Sequence, residues 1–128
     1  LHDRQILRVG DSIEFEVLHT PGHAPGHVSF LDRRAPPTAE NDGSVIIGGD
    51  LLFRGSVGRT DFPNSSPDDL LASLRRIYHE NCDESIVLTG HTSATFLKTE
   101  KEKNPYVGMA LERTNDWFRI AKDRNGWE

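Results

Sequence analysis

The stretch that decides how the chain folds runs from Val45 to Phe53 and reads VIIGGDLLF. Its β-branched residues predict a buried strand that leads directly into the carboxylate of Asp50. The two glycines before Asp50 would let other backbone approach closely, as a crowded site requires. A charge at the end of an apolar strand costs free energy unless a cation pairs with it. We therefore expect a basic side chain or a metal ion beside Asp50.

Two other predicted strands also lead into a potential metal ligand. The segment 15–18 runs into a Pro-Gly turn and His23, and the segment 85–88 runs towards Gly90 and His91. Imidazole nitrogens and carboxylate oxygens are common zinc ligands, and three of them with one open position are usual in catalytic sites. We expect these three strand ends to converge, which would bring together His23, Asp50 and His91.

Composition excludes several classes of function. The 128 residues correspond to about one domain, and the net charge of −5 comes from interspersed charges of both signs. No basic patch with stacking aromatic residues is present, so a nucleic-acid partner is disfavoured. No apolar run approaches the roughly 20 residues that span a bilayer, so no membrane association is expected. Cys82 is the only cysteine, which fits a reducing compartment and a cytoplasmic location.

The remaining patterns alternate strands with helices. Ser66 is a suitable N-cap, and Pro67 suits the first helical position. The predicted elements are a hairpin over 6–19, a strand over 27–31, an exposed connection over 32–44, the strand that ends at Asp50, an irregular segment over 54–66, a helix from Ser66 to near Asn81, a strand over 85–88, a short helix over 97–103 and a last helix from Asn104-Pro105 to Gly126.

Each candidate ligand also has a plainer interpretation. His23 could be an exposed loop histidine, Asp50 an ordinary strand-end carboxylate and His91 a turn histidine. Position favours His23 as a ligand, because a strand-end loop stiffened by proline holds a ring nitrogen in place better than a flexible loop. His27, at the start of the next strand, is interpreted as a supporting histidine rather than a ligand, and His19 as structural.

The segment 58–62 reads Gly-Arg-Thr-Asp-Phe and has two interpretations. Arg59 could bind a substrate carboxylate with its fork of donors, or it could pair with Asp61 and fix the loop. Neither Ser56 nor Ser93 lies in a nucleophile-elbow sequence, so a serine hydrolase is disfavoured.

Five motifs in order resemble those of a known family. They are Thr-Pro-Gly-His at 20–23, Gly-Asp-x-Leu-Phe at 49–53, Gly-Arg-Thr-Asp-Phe at 58–62, Gly-His at 90–91 and Glu-Lys-x-x-Asn-Pro at 100–105. This set resembles the metallo-β-lactamase superfamily and, within it, the glyoxalase II-like hydrolases. The resemblance implies an α/β fold. Residues 1–128 would be a single domain or half-domain, the C-terminal half of an αββα sandwich with a mostly antiparallel or mixed sheet and flanking helices.

The resemblance also implies a metal site and a reaction. His23 would bind a first metal, His91 a second, and Asp50 would be the catalytic carboxylate that bridges both. The complete fold would hold two zinc ions, with iron or manganese as alternatives. A metal-bound hydroxide would attack a thioester or related acyl ester, as in a hydroxyacylglutathione hydrolase. Arg59 falls where related enzymes place a basic residue for glutathione.

Two departures from the family pattern change what we expect. The His-x-His-x-Asp-His motif of the N-terminal half is absent, so this chain alone would lack a full metal site. Ser93 stands where glutathione-using members often carry tyrosine, which weighs against glutathione. Half of a sandwich would leave an apolar sheet face, which the missing N-terminal segment or a second copy would cover.

Two alternative functions remain open at this stage. One is a persulfide dioxygenase with a single iron, which the segment 58–62 also suits. The other is a non-catalytic half-domain that serves as an assembly surface.

Overall fold

A computed structural model describes residues 1–32 and 44–112. The predicted connection over 32–44 and the end of the predicted last helix fall largely or wholly outside these residues. The described elements are β1 (Ile6–Val9), β2 (Ile13–His19), β3 (Val28–Asp32), β4 (Val45–Gly49), β5 (Leu52–Phe53), β6 (Ser56–Val57), α1 (Pro67–Glu80), β7 (Ile86–Thr89), β8 (Thr95–Phe96), α2 (Leu97–Lys103) and α3 (Pro105–Glu112).

Six strands form one mixed sheet in the order β1-β2-β3-β4-β7-β8. Every neighbouring pair is antiparallel except β4 and β7, which are parallel. Because β2 and β4 each pair antiparallel with β3, they run in the same direction as β7. The carboxyl ends of β2, β4 and β7 therefore lie at one edge, which we call the carboxyl edge. This mixed α/β architecture confirms the predicted fold class.

One face of the sheet packs against the helices and forms the core. Its fully buried strand residues include Leu18, Leu31, Ile46 and Val87, which belong to one hydrophobic cluster with the apolar stripe of α1. Each such side chain contributes on the order of 1.5–3 kcal/mol relative to an exposed position. The Ser66 hydroxyl accepts a hydrogen bond from the Asp69 amide at 3.1 Å, as the sequence predicted for the start of α1. None of the helices within 1–32 and 44–112 is long and apolar enough to cross a bilayer.

The opposite face of the sheet is apolar too, but the described residues leave it largely uncovered. Strand alternation and register place many apolar side chains there. Val17 among them is fully buried, whereas seven large ones are half-buried or exposed: Ile13, Phe15, Phe30, Val45, Ile47, Leu88 and Phe96. We call this set the open face. Phe15 and Phe30 already contact each other edge to face, with ring centroids 6.3 Å apart. Leu88 and Phe96, at the other end of the set, are 42% and 50% exposed.

The prediction of an irregular segment after Phe53 is only partly correct, because β5 and β6 form a short antiparallel hairpin there. A buried polar network explains why so short a hairpin is ordered. The carboxylate of Glu100, 1% exposed, accepts hydrogen bonds from the Gly55 amide at 2.9 Å and the Asn104 side chain at 3.0 Å. Asn104 also donates to the Ser56 carbonyl at 3.0 Å. The hairpin is therefore held by residues distant in sequence, which local pattern does not reveal.

Glu100→Ala is expected to lower the free energy of unfolding by about 2 kcal/mol or more, because it leaves buried donors unpaired. Those donors include the Thr95 hydroxyl, which reaches the second Glu100 oxygen at 2.6 Å. Glu100→Gln is the matched control: it keeps one oxygen, and the Thr95 hydroxyl can rotate to accept from the new amide. Urea denaturation of both variants tests this. Equal midpoints for the two variants would contradict the role given to the network.

Candidate metal centre

Three side chains predicted to converge do meet at the carboxyl edge of the sheet. The Nε2 atom of His91 lies 2.8 Å from Oδ1 of Asp50, and Nε2 of His23 lies 3.4 Å from Oδ2. The parallel pairing of β4 with β7 places Asp50 beside His91, because both follow the carboxyl ends of neighbouring strands. His23 arrives from the loop after β2, whose strand runs in the same direction.

Hydrogen bonding defines the protonation of the His23 ring. Its Nδ1 lies 2.9 Å from the carbonyl oxygen of Arg59, so Nδ1 must carry a proton and donate it. In a neutral ring Nε2 then presents a lone pair to the Asp50 oxygen. Two acceptors face each other across 3.4 Å unless a proton or a metal cation lies between them. This arrangement gives a physical reason to expect a cation at the site.

The His23 loop is held by the start of α1. The Ser66 amide donates to the Gly22 carbonyl at 2.7 Å. Gly22 has φ +145°, and a Cβ on it would lie 2.5 Å from the Leu70 Cα. Only glycine fits this contact, so the Pro-Gly turn before His23 is a packing requirement as well as a turn signal.

The His91 loop is fixed by a second set of hydrogen bonds. The Thr89 hydroxyl accepts from the Thr92 amide at 2.9 Å and closes a short turn around His91. The Thr92 hydroxyl in turn accepts from the Arg54 amide at 3.1 Å. The ring of Phe53 packs edge to face on His91, with centroids 5.4 Å apart. The side chain of His91 is 68% exposed, so solvent and a substrate can reach this end of the site.

His27 lies beneath Asp50, consistent with the supporting role inferred from the sequence. Its Nε2 accepts a hydrogen bond from the Asp50 amide at 3.1 Å, and its Nδ1 lies 3.0 Å from the Thr20 hydroxyl. Burial lowers the pKa of the His27 imidazole below its ordinary value, which favours the neutral ring. The sequence did not reveal this contact with the Asp50 backbone, because it joins residues 23 positions apart.

The loop over 58–62 forms one side of the site. The sequence left two roles open for Arg59 in this loop: binding a substrate carboxylate, or pairing with Asp61. Arg59 makes a two-pronged ion pair with Asp61, with both nitrogen–oxygen distances at 2.9 Å. The guanidinium also lies 4.5 Å from the centroid of the Phe62 ring, which packs edge to face on His23. Arg59 therefore fixes the loop, while its side chain stays 67% exposed beside the site.

The positions of His23, Asp50 and His91 suit a carboxylate that bridges two ions better than three ligands around one ion. Two ligands of one tetrahedral zinc ion lie roughly 3.3 Å apart, close to the 3.4 Å between His23 and Asp50. His91 approaches the other Asp50 oxygen, so the donors do not surround one point. Accordingly, no three His, Cys, Asp or Glu side chains within the described residues are grouped so that they could hold one metal ion. The chemistry of the donors fits a metal, and completing its coordination requires further ligands.

A mixed sheet that gathers histidine and aspartate side chains at its carboxyl edge, with helices packed on one face, defines an α/β protein with a candidate metal centre. Residues 5–91 match the family model described as the metallo-beta-lactamase superfamily, and the chain belongs to that superfamily. The resemblance inferred from the motifs is therefore confirmed.

Individual relatives agree with this assignment. The hydroxyacylglutathione hydrolase GloC of Haemophilus influenzae is 39% identical over 103 residues, which cover 80% of this chain and 44% of that protein. The solved structure of TTHA1623 in a di-iron-bound form is 40% identical, with a TM-score of 0.66, and the match covers 83% of this chain and 46% of that one. ETHE1 from Myxococcus xanthus is 27% identical, with a TM-score of 0.74, over 97% of this chain and 51% of that one. The chain thus spans about half the length of the proteins it matches.

Proposed function

We propose that this chain supplies part of the active site of a metal-dependent hydrolase that cleaves a thioester or related acyl ester, in the manner of a hydroxyacylglutathione hydrolase. The observation that carries the proposal is the carboxylate of Asp50, whose two oxygens are each approached by a different imidazole. The similarity to GloC supports the choice of a thioester substrate. A cytoplasmic location remains a prediction from the single cysteine.

His23, Asp50 and His91 would hold the metal, with Asp50 as the catalytic carboxylate that bridges two ions. When bound, the metal supplies a nucleophilic hydroxide at neutral pH and polarises the acyl oxygen. Zinc suits this donor set. The di-iron form of TTHA1623 supports iron as an alternative. Manganese is a further alternative, because carboxylates also suit it.

The protein's own residues would orient the reactants. The Arg59 carbonyl orients the His23 ring, and the Thr89–Thr92 turn orients the loop of His91. The exposed guanidinium of Arg59 lies beside the site, where its remaining donors can meet a substrate carboxylate. Phe62, 44% exposed, adds an apolar wall next to His23.

Hydrolysis of S-lactoylglutathione, followed by thiol release, tests the proposed reaction. The assay uses this chain and the chain extended by its adjoining coding sequence, each loaded with zinc, iron or manganese. We expect metal-dependent turnover in the extended protein and its loss in Asp50→Asn. Turnover that is absent with every metal would reject the hydrolase and favour the non-catalytic assembly surface. Turnover that persists without metal would reject a metal-dependent hydrolase.

A persulfide dioxygenase with a single iron is the second candidate, favoured by the Gly-Arg-Thr-Asp-Phe segment at 58–62 and by an iron-bound relative. Oxygen uptake with glutathione persulfide separates it from the hydrolase. Uptake by the iron-loaded protein without thioester hydrolysis would replace the first proposal with this one.

We also propose that the open face is covered by the part of the superfamily domain that this chain does not span. The supporting facts are the apolar character of the face and the coverage of only 44% of GloC and 46% of TTHA1623. An apolar face of this kind is a common interaction surface, and an apolar second sheet would bury it. The same missing part would bring the additional metal ligands that the site requires.

The chain alone is expected to self-associate and to bind the dye ANS, whereas the extended chain should do neither. Leu88→Lys combined with Phe96→Lys should reduce both effects in the chain alone, because these side chains are the exposed end of the open face. Sedimentation velocity and dye fluorescence measure the two effects. A defined dimer would indicate a second copy as the cover, and a dye-negative monomer would contradict an uncovered face.

A further inference from the structure

The hydrogen bonds around His27 define a directed chain that ends at the backbone of Asp50. A backbone amide can only donate, so the 3.1 Å contact from the Asp50 amide requires an unprotonated Nε2 on His27. The proton of the neutral ring must then lie on Nδ1, which donates to the Thr20 hydroxyl at 3.0 Å. The Thr20 hydroxyl can pass its own hydrogen to the Ser29 hydroxyl at 2.9 Å.

This series of hydrogen bonds is anchored in the sheet. Thr20 and Ser29 are 1% and 0% exposed; Thr20 directly follows β2, and Ser29 belongs to β3. The ring of His27 therefore connects β2 and β3, through Thr20 and Ser29, to Asp50 at the end of β4. There it meets Gly49, which has φ +53° and whose Cβ, if present, would lie 3.0 Å from Nε2 of His27.

Both ring nitrogens of His27 are engaged, so neither is free for a metal. The bond from the Asp50 amide to Nε2 holds the N–H end of the peptide between Gly49 and Asp50, while the Gly90 amide holds its carbonyl end at 2.9 Å. That peptide aims the carboxylate of Asp50 between His23 and His91, and a rotation of it would move both oxygens away from the imidazoles.

We propose that His27 is a positioning residue, which acts as a neutral hydrogen-bond acceptor for the Asp50 amide and thereby sets the carboxylate between the two histidines. This inference rests on the proposed function, because it assigns His27 its role through the metal-bridging carboxylate. It also predicts that His27 accepts from the Asp50 amide in the metal-free protein, and this hydrogen bond can be tested separately.

Two substitutions of His27 separate the acceptor role from simple packing. The oxygen of glutamine can replace Nε2 and accept from the Asp50 amide, so His27→Gln should keep metal affinity within a few-fold of the parent. The shorter asparagine can replace only Nδ1 and its bond to Thr20, so His27→Asn should weaken cobalt(II) or zinc binding by about 10- to 100-fold. His79→Asn, on an exposed residue near the end of α1, is the control substitution and should leave affinity unchanged.

A measurement without metal provides the second readout. Long-range proton–nitrogen NMR spectra of the metal-free protein should show the Nδ1-protonated neutral ring of His27. Amide exchange at Asp50 should be slow in the parent and His27→Gln but faster in His27→Asn. Where His27→Asn does not fold, the ring tautomer of the parent and slow Asp50 amide exchange in His27→Gln still decide whether Nε2 is the acceptor.

The outcomes distinguish this inference from the proposed function. A parent protein extended by its adjoining coding sequence that binds no metal overturns the proposed function, while the ring tautomer and amide exchange still decide the hydrogen bond to Asp50. If the parent binds metal and His27→Asn binds it with equal affinity, the positioning role is overturned. A proton on Nε2, or loss of one metal equivalent in His27→Gln, also overturns it, because His27 would then be a donor or a ligand.

Discussion

Asp50→Asn is expected to abolish metal binding, with affinity reduced by about a hundredfold or more. Changes to groups that only support metal ligands already cost about 10- to 100-fold, and Asp50 would be a ligand to both ions. Asparagine keeps the shape of the side chain but removes the charge that offsets the cations. The loss should appear as absent metal in mass spectrometry and as a missing cobalt(II) absorption band.

The same substitution should not destabilise the metal-free protein. In a neutral His23 ring, Nε2 faces an Asp50 oxygen at 3.4 Å as an acceptor, and an asparagine amide there could donate to it. We therefore expect the metal-free melting temperature to stay the same or rise, while the increase caused by added metal disappears.

Asp83→Asn is the control for this prediction. Asp83 precedes β7, whereas His91 follows it, so Asp83 lies at the opposite edge of the sheet, where it pairs with Lys101 at 3.3 Å. Its replacement should leave metal content unchanged. Full metal content in Asp50→Asn would refute the bridging role of this carboxylate and remove the main support for the hydrolase.

Gly58→Ala is expected to have the largest effect on stability, lowering the free energy of unfolding by about 3 kcal/mol or more. A Cβ on Gly58 would overlap the carbonyl oxygen of Asp50 and would also lie 3.3 Å from the Cβ of His23. A backbone oxygen cannot move aside as the end of a flexible side chain can. Either the loop over 58–62 must leave the site or the Asp50 peptide must rotate.

Metal affinity should fall together with stability in this variant. The next residue, Arg59, provides the carbonyl that holds Nδ1 of His23, so a displaced loop releases that ring. Urea denaturation and cobalt(II) titration measure the two effects. In the control Gly26→Ala, a Cβ meets nothing within 4 Å in the loop after His23. Its unfolding midpoint should remain near that of the parent, and a Gly58→Ala protein of parental stability would show that the loop adjusts without cost.

The amino-acid sequence by itself determined the elements and the candidate ligands. Apolar patterns located β1 to β4 and β7 but did not predict the short strands β5, β6 and β8. The Ser66 cap located the start of α1 correctly. The positions of His23, Asp50 and His91 after predicted strands marked them as candidates. These signals are local, because strand periodicity, helix capping and turn chemistry each depend on a few neighbouring residues.

The tertiary structure alone decided how those elements meet. Parallel pairing of β4 with β7 placed Asp50 beside His91, and the sheet order brought His23 to the same edge. The bond from the Asp50 amide to His27 and the order of the β5–β6 hairpin likewise depend on partners far along the chain. Strand order, strand direction and buried polar contacts are chosen by the free energy of the whole packed domain, so no short stretch of sequence carries them.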